Sequence, residues 1–480
     1  MNKNIIGRKQ EISKLQELYK SNKPEFVAVY GRRRVGKTYL VREMFEKEFV
    51  FDLAGLAKGN MQKQLINFSN SLQQVSNQEF SVPNSWLEAF EQLISYLKTC
   101  DKKRKVIFID EISWLDTHKS DFLMALEHFW NGWACSKRDI MLIVCGSATS
   151  WIVNNLINNT GGLYNRITET IELSPFSLRE TKMFLKSKNI NYSNYQIAEI
   201  YMIMGGIPFY LDFLKQGCSV PQNIDNIFFS KNAALKIELK RLFDSLFKHS
   251  ENYIKFVEIL AENRYGLTRK EIIKKAGMKS GNKITTILNN LEYSGFIRPY
   301  SQQTKKSEKK TEIIYQLVDS FCLFYFRFMR NNNFRDEKFW TNTINTAQHN
   351  VWAGLSFEIV CLLHIKEIKK KLEVLGVQSS EYAWRSKQTE DSKGVQIDLL
   401  LDRADNIVNV CEIKYANAKY TITKSEDEKL RERIEAYRQE VLPQKTIHLL
   451  MLTTFGVKQN KYSGIIQNEV TLEDLFAETD

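Results

Sequence analysis

The chain has 480 residues, which is long enough for about three or four domains. Its hydrophobic content of 43% is enough to give each domain a core of its own. Its 68 Lys and Arg residues outnumber 56 Asp and Glu residues. The net charge of +12 favours an acidic polymer or an anionic surface as partner, and a solvated basic surface is the alternative. No apolar run approaches the roughly 18 residues of a membrane helix, and residues 1–4 begin no signal-peptide core, so we expect a cytoplasmic protein with no membrane partner.

In chain order, an amphipathic helix that opens within residues 5–12 comes first, and a phosphate-binding loop follows it. The run FVAVYGRRRVGKT reads as a buried strand that ends in G-x-x-x-x-G-K-T before a helical pattern. Its glycines let backbone N–H groups approach a phosphate chain, its lysine can reach the β- and γ-phosphates, and its threonine hydroxyl can bind Mg²⁺. We therefore predict a site for ATP and Mg²⁺ formed by Gly31, Arg32, Arg33, Arg34, Val35, Gly36, Lys37, Thr38 and Tyr39.

Two later apolar strands, over 105–109 and 140–145, also end in polar residues. Asp110 and Glu111 follow the first, at the carboxyl edge where doubly wound sheets bind nucleotide. We expect Asp110 to hold Mg²⁺ through its water shell and Glu111 to polarise the attacking water as general base. Ser147, after the second strand, is then a sensor of the γ-phosphate. Simple strand caps and turn residues are the alternatives.

Together these motifs resemble the archaeal-type ATPases of the AAA+/STAND group of P-loop NTPases, over about the first 230 residues. The resemblance implies an αβα ATPase core followed by a helical lid. It also implies an arginine finger at Arg166, nucleotide contacts from Gly7 and Arg8, and a place near the adenine for Pro208. An ordinary surface arginine and a lid turn remain the alternatives for Arg166 and Pro208.

Between about residues 250 and 317 the pattern changes to short helices and a hairpin, which is the order of a winged helix. Such modules bind duplex nucleic acid, but in STAND-like ATPases they also serve as protein scaffolds, and exposed lysines are often only solubilising. If the module binds a duplex, we expect contacts from the hairpin tip and the third helix, through Lys305, Lys306, Lys309, Lys310, Lys283, Thr285 and Asn289.

The last domain carries a second group of charged residues. Asp398 interrupts one apolar strand, Glu412 and Lys414 interrupt the next, and Glu358 lies in a predicted helix upstream. Since Glu412 and Lys414 are two apart, they share one face, where charges are costly unless paired or bound to metal. We expect Asp398, Glu412 and the Ile413 carbonyl to ligate Mg²⁺, while Lys414 orients or deprotonates the attacking water.

This order of residues resembles the PD-(D/E)xK restriction-endonuclease-like fold over about residues 350 to 455. The resemblance implies catalytic roles for Glu358, Asp398, Glu412 and Lys414, although a fold of this kind and nuclease activity are separate claims.

The sequence thus predicts an α/β chain with a P-loop αβα ATPase core (1–175), a helical lid (176–240), a winged helix (241–332) and an α/β restriction-endonuclease-like domain (335–480). The leading function is a nucleotide-gated, DNA-processing enzyme of defence or mobile elements, with DNA favoured over RNA. The alternative is a signalling or scaffold ATPase that cuts nothing. A homo-oligomer is compatible with the sequence.

Overall fold

The computed structural model describes residues 5–301, 313–385, 395–441 and 444–479. The chain divides into two compact units, Met1–Pro175 and Phe176–Asp480. The predicted hairpin tip with Lys305, Lys306, Lys309 and Lys310 lies outside the described residues. Among the helices of the described ranges, none has the length and apolarity that crossing a bilayer requires.

The first unit is built on a parallel five-stranded sheet between helices. Its elements are α1 (Lys9–Lys20), β1 (Glu25–Tyr30), α2 (Lys37–Phe45), β2 (Phe49–Ala54), α3 (Met61–Ser76), α4 (Trp86–Thr99), β3 (Lys105–Asp110), α5 (Phe122–Gly132), β4 (Ile140–Gly146), α6 (Thr149–Ile152) and β5 (Glu169–Glu172). The strand order is β2-β3-β4-β1-β5. Strand β4 is buried along its whole length, as expected for a parallel sheet covered on both faces.

Because all five strands run parallel, their carboxyl ends meet at one edge of the sheet. Strand β4 lies between β1 and β3, so the residues that follow β4 stand between the phosphate-binding loop and the acids that follow β3. Aromatic pairs such as Trp86 with Phe122 and Phe90 with Phe129, whose ring centroids are 4.9 and 5.0 Å apart, pack the helices beside the sheet.

The second unit begins with helices and continues into a small helical module with an antiparallel sheet. Its first elements are α7 (Leu178–Ser187), α8 (Asn194–Met204), α9 (Pro208–Leu211), α10 (Val220–Ile224), α11 (Glu238–Leu246), α12 (Ser250–Ala261), β6 (Leu267–Thr268), α13 (Arg269–Ala276), α14 (Asn282–Tyr293), β7 (Ile297–Ser301) and β8 (Ile313–Leu317). The three strands form a sheet in the order β6-β8-β7. We call residues 250–317 the helix–sheet module.

The rest of the second unit surrounds a mixed five-stranded sheet. Its elements are α15 (Ser320–Phe324), α16 (Phe339–Thr343), α17 (Ala347–Leu363), α18 (Ile365–Lys371), β9 (Ser379–Arg385), β10 (Gln396–Arg403), β11 (Ile407–Lys414), α19 (Lys424–Val441), β12 (Thr446–Thr453) and β13 (Asn468–Thr471). The strand order is β13-β12-β11-β10-β9. Strands β9 to β11 pair antiparallel, whereas β11 and β12 are parallel, with α19 in the crossover between them. The predicted α/β fold class is confirmed.

Candidate functional site

The phosphate-binding loop joins β1 to α2 through two glycines with positive φ. Gly31 has φ 133° and Gly36 has φ 93°, a region of backbone space that side chains disfavour. A Cβ at Gly31 would lie only 2.4 Å from the carbonyl oxygen of Leu173, whereas one at Gly36 would meet no heavy atom within 4 Å. At Gly31 a side chain is therefore disfavoured both by the clash and by the backbone conformation, whereas at Gly36 only the backbone conformation disfavours it.

Lys37 closes this loop from its position at the start of α2. Its Nζ donates hydrogen bonds to the carbonyl oxygens of Gly31 and Arg32, both at 2.8 Å. The side chain is 5% exposed, and this burial lowers the pKa of its ammonium group. The loop carbonyls therefore solvate a buried cation that points into the turn.

Thr38 and Asp110, the two residues predicted to bind Mg²⁺ here, are in direct contact. The Thr38 Oγ1 donates to Asp110 Oδ2 at 2.8 Å, although β4 separates the strands that precede them. Asp110 is buried, and its Oδ1 accepts the backbone N–H of Glu111 at 2.9 Å. A hydroxyl and a carboxylate are oxygen donors that suit Mg²⁺, so these residues fit the predicted ion.

Glu111 and Ser147 form the second pair at this edge. The Ser147 Oγ donates to Glu111 Oε1 at 2.9 Å, and the Ser147 N–H reaches Oε2 at 3.3 Å. Glu111 itself has φ 46°, a left-handed conformation at the turn after β3. The pair positions the carboxylate, a partnership that the sequence analysis missed because it depends on the strand order.

The other predicted nucleotide-binding residues lie in different settings. Gly7 and Arg8 both have positive φ before α1, and the Arg8 Nη2 donates to the Val35 carbonyl at 3.3 Å, so Arg8 supports the loop. Tyr39 is 50% exposed on α2. Of the remaining loop residues, Arg32 is buried, Arg33 is half-buried and Arg34 has φ 73°.

Arg166 and Pro208 are the two predicted nucleotide-site residues that remain, and they belong to different units. Arg166 is exposed in a turn before β5, where its N–H donates to the Leu163 carbonyl at 3.1 Å. Pro208 is the half-buried first residue of α9, in the second unit. Their roles as arginine finger and adenine neighbour stay predictions.

The C-terminal acids occupy neighbouring strands of the mixed sheet. Leu399 pairs with Cys411, so Asp398 and Glu412 come next along β10 and β11. The Lys414 Nζ lies 2.8 Å from Glu412 Oε1, which agrees with the predicted shared face. Glu358 lies on α17.

Three partners of these acids were not singled out from the sequence. Arg433 on α19 forms an ion pair with Glu412. The Gln396 Nε2 donates to Asp398 Oδ1 at 2.5 Å, and the Arg264 Nη2 lies 3.9 Å from Glu358 Oε1. The carboxylates of Glu358 and Glu412 thus each have an arginine neighbour, and that of Asp398 has a glutamine neighbour.

The acids are perturbed by burial and by one another. Burial raises the pKa of Glu358 to about 8, and the nearby Asp398 carboxylate adds to this, while Arg264 opposes it. Burial also raises the pKa of Asp398, against the effect of Arg264. Within the described ranges, no group of three or more His, Cys, Asp or Glu side chains is placed to hold a metal ion. A Mg²⁺ site here would depend on Asp398, Glu412 and the Ile413 carbonyl.

Two cavities divide the predicted residues. Glu358, Asp398 and Ile413 line a cavity of about 10 Å³, which has room for about one water molecule. Glu412 and Lys414 line another of about 240 Å³, together with Arg433. The four predicted residues thus line two different cavities, although the charges of Asp398, Glu412 and Lys414 all affect the pKa of Glu358.

The N-terminal geometry defines a class of protein. A parallel sheet whose β1 leads into G-x-x-x-x-G-K-T, with Asp110 hydrogen-bonded to Thr38, is the core of a P-loop nucleotide-binding protein. Residues 5–214 match the family model described as an ATPase domain predominantly from Archaea. This part of the chain is an archaeal-type ATPase domain.

Known proteins resemble the chain over different lengths. It is 26% identical over 422 residues to the uncharacterized protein MJECL04 of Methanocaldococcus jannaschii, a match that covers 86% of this chain and 88% of that protein. It is also 40% identical over 44 residues to the uncharacterized ATP-binding protein MJ0423 of the same organism. That match covers 9% of this chain and 75% of that protein. The solved Walker-type ATPase PABY2304 of Pyrococcus abyssi superposes with a TM-score of 0.48 and 18% identity, over 68% of this chain and 96% of that one.

Proposed function

We propose that the chain hydrolyses ATP and couples its nucleotide state to nucleic-acid binding and Mg²⁺-dependent phosphodiester cleavage. The observation that carries the ATPase part is the pairing of Thr38 with Asp110 and of Ser147 with Glu111 at one edge of the sheet. Thr38 and Asp110 would hold Mg²⁺, which when bound neutralises charge on the phosphates.

In this proposal each loop residue has a separate task. Lys37 exchanges its two carbonyl acceptors for phosphate oxygens when nucleotide enters. Glu111 accepts a proton from the attacking water, and Ser147 keeps its carboxylate oriented. Positioning and charge stabilisation then account for most of the catalysis, as in other phosphoryl transfers.

Nucleic-acid binding is assigned to the helix–sheet module, which we interpret as a winged helix. Its α14 buries Ile284 and Leu288 and leaves Lys283, Thr285 and Asn289 exposed. One cationic and two hydrogen-bonding side chains on an exposed helix face suit a phosphate backbone and base edges. The net charge of +12 supports an acidic polymer as partner.

Cleavage is assigned to the C-terminal acids. Asp398 and Glu412 would ligate Mg²⁺, and Lys414, 2.8 Å from Glu412, would orient or deprotonate the attacking water. A specific observation favours the second candidate, a signalling or scaffold ATPase that binds partners without cutting: Glu412 already pairs with both Lys414 and Arg433.

Incubation of the pure protein with supercoiled plasmid, Mg²⁺ or Mn²⁺, and ATP or a non-hydrolysable analogue separates the two candidates. The nuclease proposal expects nicking that Asp398→Ala and Lys414→Ala abolish while ATPase activity and the thermal melt are retained. Absence of metal-dependent cleavage of DNA or RNA in every nucleotide state, with variants as stable as wild type, supports the scaffold instead.

A further inference from the structure

The helix–sheet module forms one wall of the space around Glu358 and Asp398. The cavity between the module and these two acids measures about 10 Å³, enough for about one water molecule. The residues that line it come from both sides, with Tyr265, Arg298, Tyr300 and Gln316 facing Glu358 and Asp398. Among the described residues, this volume matches one water molecule rather than a hydrated metal ion.

Arg264 supplies the charge that makes this contact favourable. Its Nη2 lies 3.9 Å from Glu358 Oε1, and its guanidinium lies 4.0 Å from the centre of the Tyr265 ring. Stacking on Tyr265 limits the orientations of the arginine, so less entropy is lost when it faces the acid. The side chain is 41% exposed, so its replacement leaves no buried void.

Arg298 adds a second cation on the same wall. Its Nε donates to Gln316 Oε1 at 2.9 Å, and its guanidinium lies 5.0 Å from the centre of the Tyr300 ring. Arg264 therefore pairs with Glu358 of α17, and Arg298 lines the same cavity as Glu358 and Asp398. A divalent cation beside these acids would otherwise supply the balancing charge.

We propose that the helix–sheet module is a cap that keeps the acidic pair closed, with Arg264 as the counter-ion that a metal ion must replace before the site can act. This inference rests on the proposed nuclease-like role of Glu358 and Asp398. The cap contacts come from the loop before β6 and from β7 and β8, whereas the face assigned to nucleic acid is on α14. The module can therefore hold a duplex and cover the acids with different surfaces.

Hydrogen exchange of the full chain, without nucleic acid, tests the cap directly. Arg264→Ala removes the attraction between Arg264 and Glu358, and Arg264→Glu turns it into repulsion. The control Lys274→Glu makes the same charge change as Arg264→Glu, but at an exposed position of α13. We expect exchange in β7 and β10 to quicken by about twofold to fivefold in Arg264→Ala, the range for a partly exposed ion pair, and further in Arg264→Glu. Lys274→Glu should exchange like wild type.

The cap is overturned if neither Arg264 variant changes the exchange rate in β7 and β10. It is also overturned if Lys274→Glu quickens this exchange as much as Arg264→Glu does. Plasmid nicking measured with Mn²⁺ distinguishes the two proposals. Faster exchange with increased nicking supports both, while faster exchange with no nicking in any variant supports the cap and rejects the nuclease role. Loss of wild-type nicking in Arg264→Ala, at unchanged exchange, would make Arg264 part of the working site and overturn the cap.

Discussion

Ser147 donates a hydrogen bond from its Oγ to Oε1 of Glu111 at 2.9 Å, across the boundary between β4 and β3. Its backbone N–H reaches the other carboxylate oxygen at 3.3 Å. These two hydrogen bonds restrict the rotamers of the Glu111 side chain. A water bound between Glu111 and a γ-phosphate would therefore find the carboxylate, its proton acceptor, in a fixed orientation. Ser147 is thereby a positioning residue for the proposed base.

Ser147→Ala should lower the turnover of ATP by about tenfold and leave nucleotide affinity nearly unchanged, because the hydrogen bond that it removes orients the Glu111 carboxylate. Weaker ATP binding in this variant would favour the predicted role of Ser147 as a sensor of the γ-phosphate. Steady-state hydrolysis and equilibrium binding of a fluorescent ATP analogue measure the two quantities. Ser147→Thr keeps the hydroxyl and should recover part of the loss. Wild-type turnover in Ser147→Ala would mean that Glu111 needs no such support.

Alanine at the two loop glycines should have unequal effects. Gly36→Ala meets only backbone strain at φ 93°, which costs roughly 1–2 kcal/mol. Gly31→Ala adds a clash with the Leu173 carbonyl oxygen, 2.4 Å from the new Cβ, and should be the more destabilising. Chemical denaturation of both variants checks the order, and equal losses would contradict the geometry of the loop.

Much of this loop was predictable from sequence, because a strand, a glycine turn and a helix start are local features. The partners of Glu111 were not, since the position of β4 between β1 and β3 is set by long-range pairing. Likewise, alternation along β11 placed Glu412 and Lys414 on one face, but the reach of Arg433 and Arg264 depends on how distant elements pack. The two-residue strand β6 was too short for any periodic signal.

His364 should make the stability of the chain depend on pH. Its Nε2 accepts the Leu178 N–H at 3.1 Å, and its Nδ1 lies 2.8 Å from the Val360 carbonyl oxygen. Burial lowers the pKa of this imidazole from 6.5 to about 4, so the unfolded chain binds the proton first as pH falls. Stability is therefore complete above about pH 6.5 and is lost towards pH 4, by about 2 kcal/mol between pH 7 and pH 5.

Denaturant titration at these two pH values measures that loss. His364→Gln retains a side-chain acceptor and cannot titrate, so its stability should change less with pH than that of wild type, even if it is lower at neutral pH. A slope that is identical in the two proteins would exclude His364 as the source.

Glu111→Gln tests most directly whether the site built from Lys37, Thr38, Asp110 and Glu111 hydrolyses ATP. The amide keeps the shape and can still contact Ser147, but it cannot accept the proton of the attacking water. In a single-turnover assay with Mg²⁺, we predict wild-type affinity for ATP and hydrolysis at least about a hundredfold slower. Hydrolysis at the wild-type rate with ATP bound would contradict the assignment and place the base elsewhere.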